Sequence, residues 1–143
     1  MLVETGDPAD ARVAYHQALS APGCLGPRDA DARVALGDLE LAAGDRTAAV
    51  EIYAGAADPR AHTNRGLALL ALGRAAEAER ELTASLAADP SQVEARLGLA
   101  FALKALGRPA ESAAAFEAFL AAAPNHPAAR RARAELAALK AGR

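Results

Sequence analysis

The residues that could perform chemistry are few in this chain, and they lie far apart in its sequence. His16, His62 and His126 form no HExxH pair or other metal-ligand spacing, and Cys24 is the only cysteine. Serine and threonine occur in no GxSxG or SxxK context, and the glycines stand singly rather than in a phosphate-binding loop. The sequence therefore offers no catalytic, metal-binding or cofactor-binding residue, and we expect a protein that is not an enzyme.

Composition and charge argue against nucleic acid as a partner and against insertion into a membrane. The 143 residues favour one domain over residues 1–143, and 16 basic against 18 acidic residues create no field that would attract nucleic acid. No apolar run approaches the ~20 residues that span a bilayer. The first residues do not resemble a secretory signal, so we expect a cytoplasmic location, or a periplasmic one if a signal has been removed. The abundance of Ala, Gly and Arg favours a bacterial source.

An internal period of 34 residues organises the chain. It relates Gly73 to Gly107 and Leu82 to Phe116. Within a unit, apolar residues recur at the i, i+4, i+7 spacing of an amphipathic helix, a glycine then ends that helix, and a second helix stops before a proline. Each unit is therefore predicted to be a pair of antiparallel helices.

Glycines and prolines predict the helix boundaries. The predicted helices are 8–20, 30–43, 46–57, 60–72, 75–88, 93–106, 109–122 and 127–140, with a loop at 21–27. They form a half repeat 8–20 after a missing first helix that would end at Gly6, a shortened repeat 30–58, full repeats 59–92 and 93–126, and a polar capping helix 127–141. Gly44 and Gly73 are 29 residues apart instead of 34, so we expect five residues to be missing from the second helix or its exit turn, with a locally altered superhelix.

The pattern resembles the tetratricopeptide repeat. The residues that carry the resemblance are Leu36, Gly37, Gly44, Ala49 and Tyr53 in one unit, Gly66, Leu69, Gly73, Ala78, Leu82 and Pro90 in the next, and Leu99, Ala100, Leu103, Gly107, Ser112, Phe116 and Pro124 in the third. The resemblance implies an all-α, right-handed α-solenoid of about eight helices, closed by the polar C-terminal helix.

The chain departs from the family pattern at several positions. Arg33, His62 and Arg96 replace an aromatic residue that the family often has early in its first helix, and Arg65 replaces a leucine. We expect the replacement of the aromatic residue to weaken packing. Phe119, where the family usually has a small residue, would offset the loss by filling space beside small neighbours.

The resemblance also implies a concave groove, lined by the first helices, that accepts an extended or helical peptide. The groove residues that it implies are Asp31, Val34, Asp38, Arg60, Thr63, Asn64, Leu67, Leu70, Glu94, Leu97, Phe101 and Lys104. The alternative for the apolar members is that they belong to the core between helices. Arg60 and Asn64 could start a clamp for a ligand carboxylate, but Asp31, Ala35, Glu94 and Gly98 at the matching positions leave it incomplete.

Three functions are compatible with this sequence. The first is an adaptor that binds a protein or peptide partner without catalysis. The second is a docking or regulatory module of a larger multidomain protein, such as an enzyme or a secretion or assembly factor. The third is a self-assembling structural oligomer whose terminal repeats stack on further copies of the chain.

Overall fold

The computed structural model describes residues 7–20 and 27–142, and every regular element within those two ranges is an α-helix. In chain order these are α1 (Pro8–Ser20), α2 (Pro27–Ala42), α3 (Arg46–Ala54), α4 (Pro59–Ala71), α5 (Ala75–Ala88), α6 (Val93–Ala105), α7 (Pro109–Ala122) and α8 (Ala129–Lys140). Each helix packs against the next, and the alternate helices α2, α4 and α6 also contact one another. The predicted all-α solenoid of helix pairs is confirmed.

Glycine ends the first helix of each pair by adopting a left-handed conformation. Gly73 has φ 77° and Gly107 has φ 71°. The next amide then reaches back to the last turn, so Arg74 N–H donates to the carbonyl of Leu69 at 2.9 Å. This turn satisfies a carbonyl that the helix would otherwise leave without a partner, and it reverses the chain for the second helix.

Three helix boundaries differ by more than one residue from those predicted. Helix α2 begins at Pro27 rather than at residue 30, because a proline fits the first turn of a helix, where no backbone donor is needed. Helix α8 begins at Ala129 rather than at residue 127, after a turn in which His126 Nδ1 accepts the Ala128 N–H at 3.1 Å. The third difference is the end of α3 at Ala54 rather than at residue 57. Gly6 and the predicted loop up to residue 26, including Cys24, lie outside the described residues.

Helix α3 carries the shortfall in the repeat. It has nine residues, whereas α5 and α7 each have 14. The exit segments 55–58 and 89–92 are equally long. The five missing residues are therefore missing from the helix itself and not from the turn that follows it.

The core lies between successive helices and is built largely from small side chains. Alanines such as Ala49, Ala78 and Ala100 are fully buried and let the helices approach closely. Larger groups fill the remaining space, and Phe116 and Phe119 are both buried against α8. The expectation that Phe119 fills space beside small neighbours agrees with this packing.

A polar network occupies the place where weak packing was expected. Glu81 on α5 accepts hydrogen bonds from His62 Nδ1 at 2.8 Å and from the guanidinium of Arg65. Arg65 Nε also donates to the Val50 carbonyl at 3.2 Å. The residues that replace the family's apolar side chains therefore join α3, α4 and α5 through hydrogen bonds. At the equivalent place on α6, Arg96 donates to the Pro90 carbonyl at 2.7 Å.

Candidate functional site

An open groove of about 630 Å³ extends across the faces of α4, α6 and α8. Its lining residues are Leu67, Leu70 and Ala71 from α4, Phe101, Lys104 and Ala105 from α6, and Arg131 from α8. Leu67, Leu70, Phe101 and Lys104 were predicted groove residues, and the structure brings these four together.

Helical periodicity places these side chains on one surface. Leu67, Leu70 and Ala71 are spaced i, i+3, i+4 on α4, and Phe101 and Lys104 take the corresponding places on α6 one period later. Because α4 and α6 pack side by side, the two stripes form a continuous apolar floor with charge at its α8 border. We call this surface the α4–α6–α8 groove.

Phe101 contacts the core through Phe116 and contacts Arg131 at the surface, and it remains partly exposed. Its ring packs edge-on against the buried ring of Phe116, with 5.1 Å between centroids and an interplanar angle of 90°. On the solvent side, the guanidinium carbon of Arg131 lies 4.6 Å from the Phe101 centroid, within the range of a cation–π interaction. The core therefore holds the ring rigidly, while a charged and exposed side chain borders it.

The second cation of the groove is already paired. Lys104 Nζ on α6 forms an ion pair with Glu135 on α8, which ties the two helices together at the border of the groove. Arg131, by contrast, forms no ion pair within the part of the chain that the structure describes. The N–H donors of Arg131 are therefore available to a ligand at this surface.

The predicted polar residues on α2 and α4 pair with one another. Arg60 contacts Asp31 at 2.5 Å, and it also bonds Asp58 at 3.2 Å. Asp38 accepts hydrogen bonds from the Tyr53 hydroxyl at 2.5 Å and from Asn64 Nδ2 at 3.1 Å. Burial and the hydrogen bond to Asp38 raise the pKa of Tyr53. Arg60 and Asn64 both contact protein carboxylates here, so the structure adds no support for a clamp.

Four predicted residues lie away from the groove. Val34 and Thr63 are buried, with 8% and 3% of their surface exposed, and neither lines the open groove. Thr63 Oγ1 shares a hydrogen bond with Ser85 Oγ at 2.6 Å between α4 and α5. Leu97 packs against the core around Phe116, and Glu94 lies 3.6 Å from the ring of His126.

Arg131 is the functional candidate that sequence reasoning missed. It lies 34 residues after Leu97, which packs against the core rather than in the groove, so the repeat alone would not have placed Arg131 there. The sequence predicts a polar capping helix there and singles out none of its residues for binding. Ala71 and Ala105 were also missed, although they follow Leu70 and Lys104 on the same faces.

The described residues contain no group of three or more His, Cys, Asp or Glu placed to hold a metal ion. Within the same ranges, no helix is both long enough and apolar enough to cross a membrane.

Comparisons with known proteins point to one repeat family. Two family models, each described as tetratricopeptide repeat, match residues 69–136 and 2–62. Curated proteins give no match. Among solved structures, the second such domain of human RPAP3, in complex with the HSP70 peptide SGPTIEEVD, is 26% identical with a TM-score of 0.73, covering 80% of this chain and 98% of that one.

Two further structures share the fold at lower identity. MamA is 20% identical with a TM-score of 0.84, and the match covers 96% of this chain and 79% of that chain. PcrH in complex with the chaperone binding region of PopD is 23% identical with a TM-score of 0.75, and the match covers 85% of this chain and 98% of that one. These two likenesses establish the architecture only.

Proposed function

We propose that this chain, which belongs to the tetratricopeptide repeat family, is a scaffold that binds a peptide segment of a partner protein in the α4–α6–α8 groove. The observation that carries the proposal is the rigid apolar floor around Phe101, open to solvent and bordered by a cation. The RPAP3 domain, similar over nearly all of its own length, was solved with a bound peptide, which supports the same kind of role here.

The size and lining of the groove suit a side chain of a peptide. Its volume of about 630 Å³ lies within the ~300–1,000 Å³ of most ligand sites, which are mainly apolar with a few polar groups that orient the ligand. Leu67, Leu70 and Phe101 would hold a bulky apolar side chain of the partner. The same groove serves an independent adaptor or a docking module of a longer protein.

Preformed geometry favours binding at this surface. Phe101 is held against Phe116, and the Lys104–Glu135 ion pair fixes α6 to α8. A ligand would therefore not need to order these groups, and the entropic cost of association would be lower than for a mobile surface.

The proposal is tested by selecting ligands and mapping where they bind. Dodecapeptides enriched from a random phage-displayed library would be titrated into ¹⁵N-labelled protein, whose 14.5 kDa suits such spectra. We expect the largest changes in amide chemical shift at Leu67, Leu70 and Phe101. Affinity measured by calorimetry should fall at least about tenfold, or 1.4 kcal/mol, when Phe101→Ala is combined with Leu67→Ala.

The matched control is Thr83→Ala, because Thr83 lies in a shallow depression on the α5 surface outside the groove. It should leave the affinity unchanged. Shift changes centred on α5, or an affinity unaffected by the double substitution, would show that the groove is not the binding surface.

A further inference from the structure

Charge is unevenly distributed along the chain. Residues 1–58 contain ten acidic and four basic residues, whereas residues 59–143 contain eight acidic and twelve basic residues. The small net charge of −2 thus conceals an acidic first part and a basic second part. The α4–α6–α8 groove belongs to the basic part, so its surroundings favour an anionic ligand.

Two of the cationic side chains of α8 bind other groups of the protein. Lys140 pairs with Glu117 at 2.7 Å, and the guanidinium of Arg133 donates to the Pro124 carbonyl at 2.8 Å. Glu135, the one acidic residue of α8, pairs with Lys104. No carboxylate within the described ranges pairs with Arg131, although Arg131 is the α8 residue that lines the groove.

Stacking on Phe101 prepares Arg131 for a carboxylate. An arginine over an aromatic face keeps the N–H donors at the edge of its plane, and this fork matches the two oxygens of a carboxylate. The ring also restricts the guanidinium, so less conformational entropy is lost when a ligand binds. A lysine at the same place would lack the bidentate geometry.

We propose that Arg131 determines ligand specificity by binding the carboxylate of an Asp or Glu that lies next to the apolar residue held by Leu67, Leu70 and Phe101. This inference rests on the proposed function. The partner is therefore a protein segment in which an apolar side chain is closely followed or preceded by an acidic one.

The charge on α2, at the opposite end of the concave face, determines the direction in which the bound segment runs. Asp38 is an exposed carboxylate whose hydrogen-bond partners, Tyr53 and Asn64, are neutral, and it would repel an acidic residue placed there. An acidic residue is favoured at α8 and disfavoured at α2. The acidic end of the bound segment consequently lies over α8.

The experiment compares library selections on three forms of the chain. Wild-type protein should enrich dodecapeptides in which Asp or Glu stands within about three residues of a bulky apolar residue, which is ~10 Å at ~3.3 Å per extended residue. Arg131→Glu should lose these peptides and enrich ones with Lys or Arg at that place. Arg133→Glu is the matched control, because it makes the same charge change on α8 at a residue that does not line the groove.

Affinities then quantify the effect. For the peptide most enriched on wild-type protein, Arg131→Glu should weaken binding by about ten- to hundredfold, as expected for a charge-assisted pair at a partly exposed site. Arg131→Gln, which removes the charge without reversing it, should show a smaller loss in the same direction. Circular dichroism melts of all variants establish that each one folds.

The outcomes separate the inference from the proposed function. Wild-type protein that enriches no peptide overturns both. Enriched peptides without a recurring acidic residue, or an acidic preference that survives Arg131→Glu, overturn the role of Arg131 and leave groove binding intact. Loss of the preference with Arg133→Glu as well would show a general charge effect, which also contradicts a specific role for Arg131.

Discussion

The ring of Tyr53 occupies the space that a side chain at position 37 would need. A Cβ atom built on Gly37 would overlap the ring carbons of Tyr53, which is almost fully buried between α2 and α3. The Tyr53 hydroxyl donates to Asp38, the residue that follows Gly37. The close contact of these two helices therefore requires glycine at this position.

Gly37→Ala should lower the free energy of unfolding by about 1–3 kcal/mol, the usual cost of overpacking a core. The loss should appear as a lower urea midpoint with an unchanged slope. Gly55→Ala is the control, because a Cβ there would meet only the guanidinium of Arg33, the movable end of a long side chain. Equal midpoints for the two variants would contradict the steric argument.

Ionisation of Tyr53 should make the fold sensitive to alkali. Burial and the hydrogen bond to Asp38 raise the pKa of Tyr53, so the folded state favours the neutral phenol. In the unfolded chain the phenol ionises near pH 10. The free energy of unfolding should therefore fall as the pH rises above about 10. Urea melts between about pH 9 and 11.5 should show a smaller fall for Tyr53→Phe; an identical fall would place the effect elsewhere.

Phe116 should contribute to stability and Phe101 to binding. Phe116 is fully buried in the core cluster beside α8, so Phe116→Ala should cost about 3–5 kcal/mol in the free energy of unfolding. Phe101 is only partly buried, so Phe101→Ala should lower the melting temperature less than Phe116→Ala does. Relative to that loss of stability, it should weaken the binding of the selected peptide more. A melt unchanged by Phe116→Ala would remove this residue from the core.

Glu81 should stabilise the fold more than a surface carboxylate on the same helix. Its side chain is 16% exposed and bonds both His62 and Arg65. Glu81→Gln removes the counter-charge of Arg65 and should cost about 1–3 kcal/mol in the free energy of unfolding.

The matched control is Glu77→Gln, because Glu77 pairs with Arg74 at 2.7 Å on the surface, where such pairs contribute at most about 1 kcal/mol. Urea melts of the two variants provide the comparison. A loss for Glu77→Gln as large as that for Glu81→Gln would mean that burial does not strengthen the network.

The helices could be predicted from sequence because local backbone preferences set their ends. Gly73 and Gly107 adopt the left-handed conformation that the pattern predicts, and Pro59 and Pro109 lie in first turns. The start of α8 could not be placed in this way, because it depends on the ring of His126 accepting a backbone N–H, which no propensity describes.

The groove residues were harder to predict, because helical periodicity shows which residues share a helix face but not which helices pack against that face. Thr63 and Asn64 are adjacent in sequence, yet Thr63 is buried against Ser85 of α5 while Asn64 bonds Asp38 of α2. Which flank of a helical face is covered depends on where the next helix lies. The network of Glu81, His62 and Arg65 likewise becomes visible only when α4 and α5 are placed side by side.

The contact pattern of the solenoid has a kinetic consequence. Because each helix packs against successive or alternate helices along the chain, no extensive contact joins the two ends of the described part, and chains of this kind fold within microseconds to milliseconds. Helices α4 and α5 share the most extensive contact, whereas α1 buries none of its residues. Amide hydrogens should therefore exchange most slowly in the middle of the chain and fastest in α1, which opens without unfolding the helices that bear the groove.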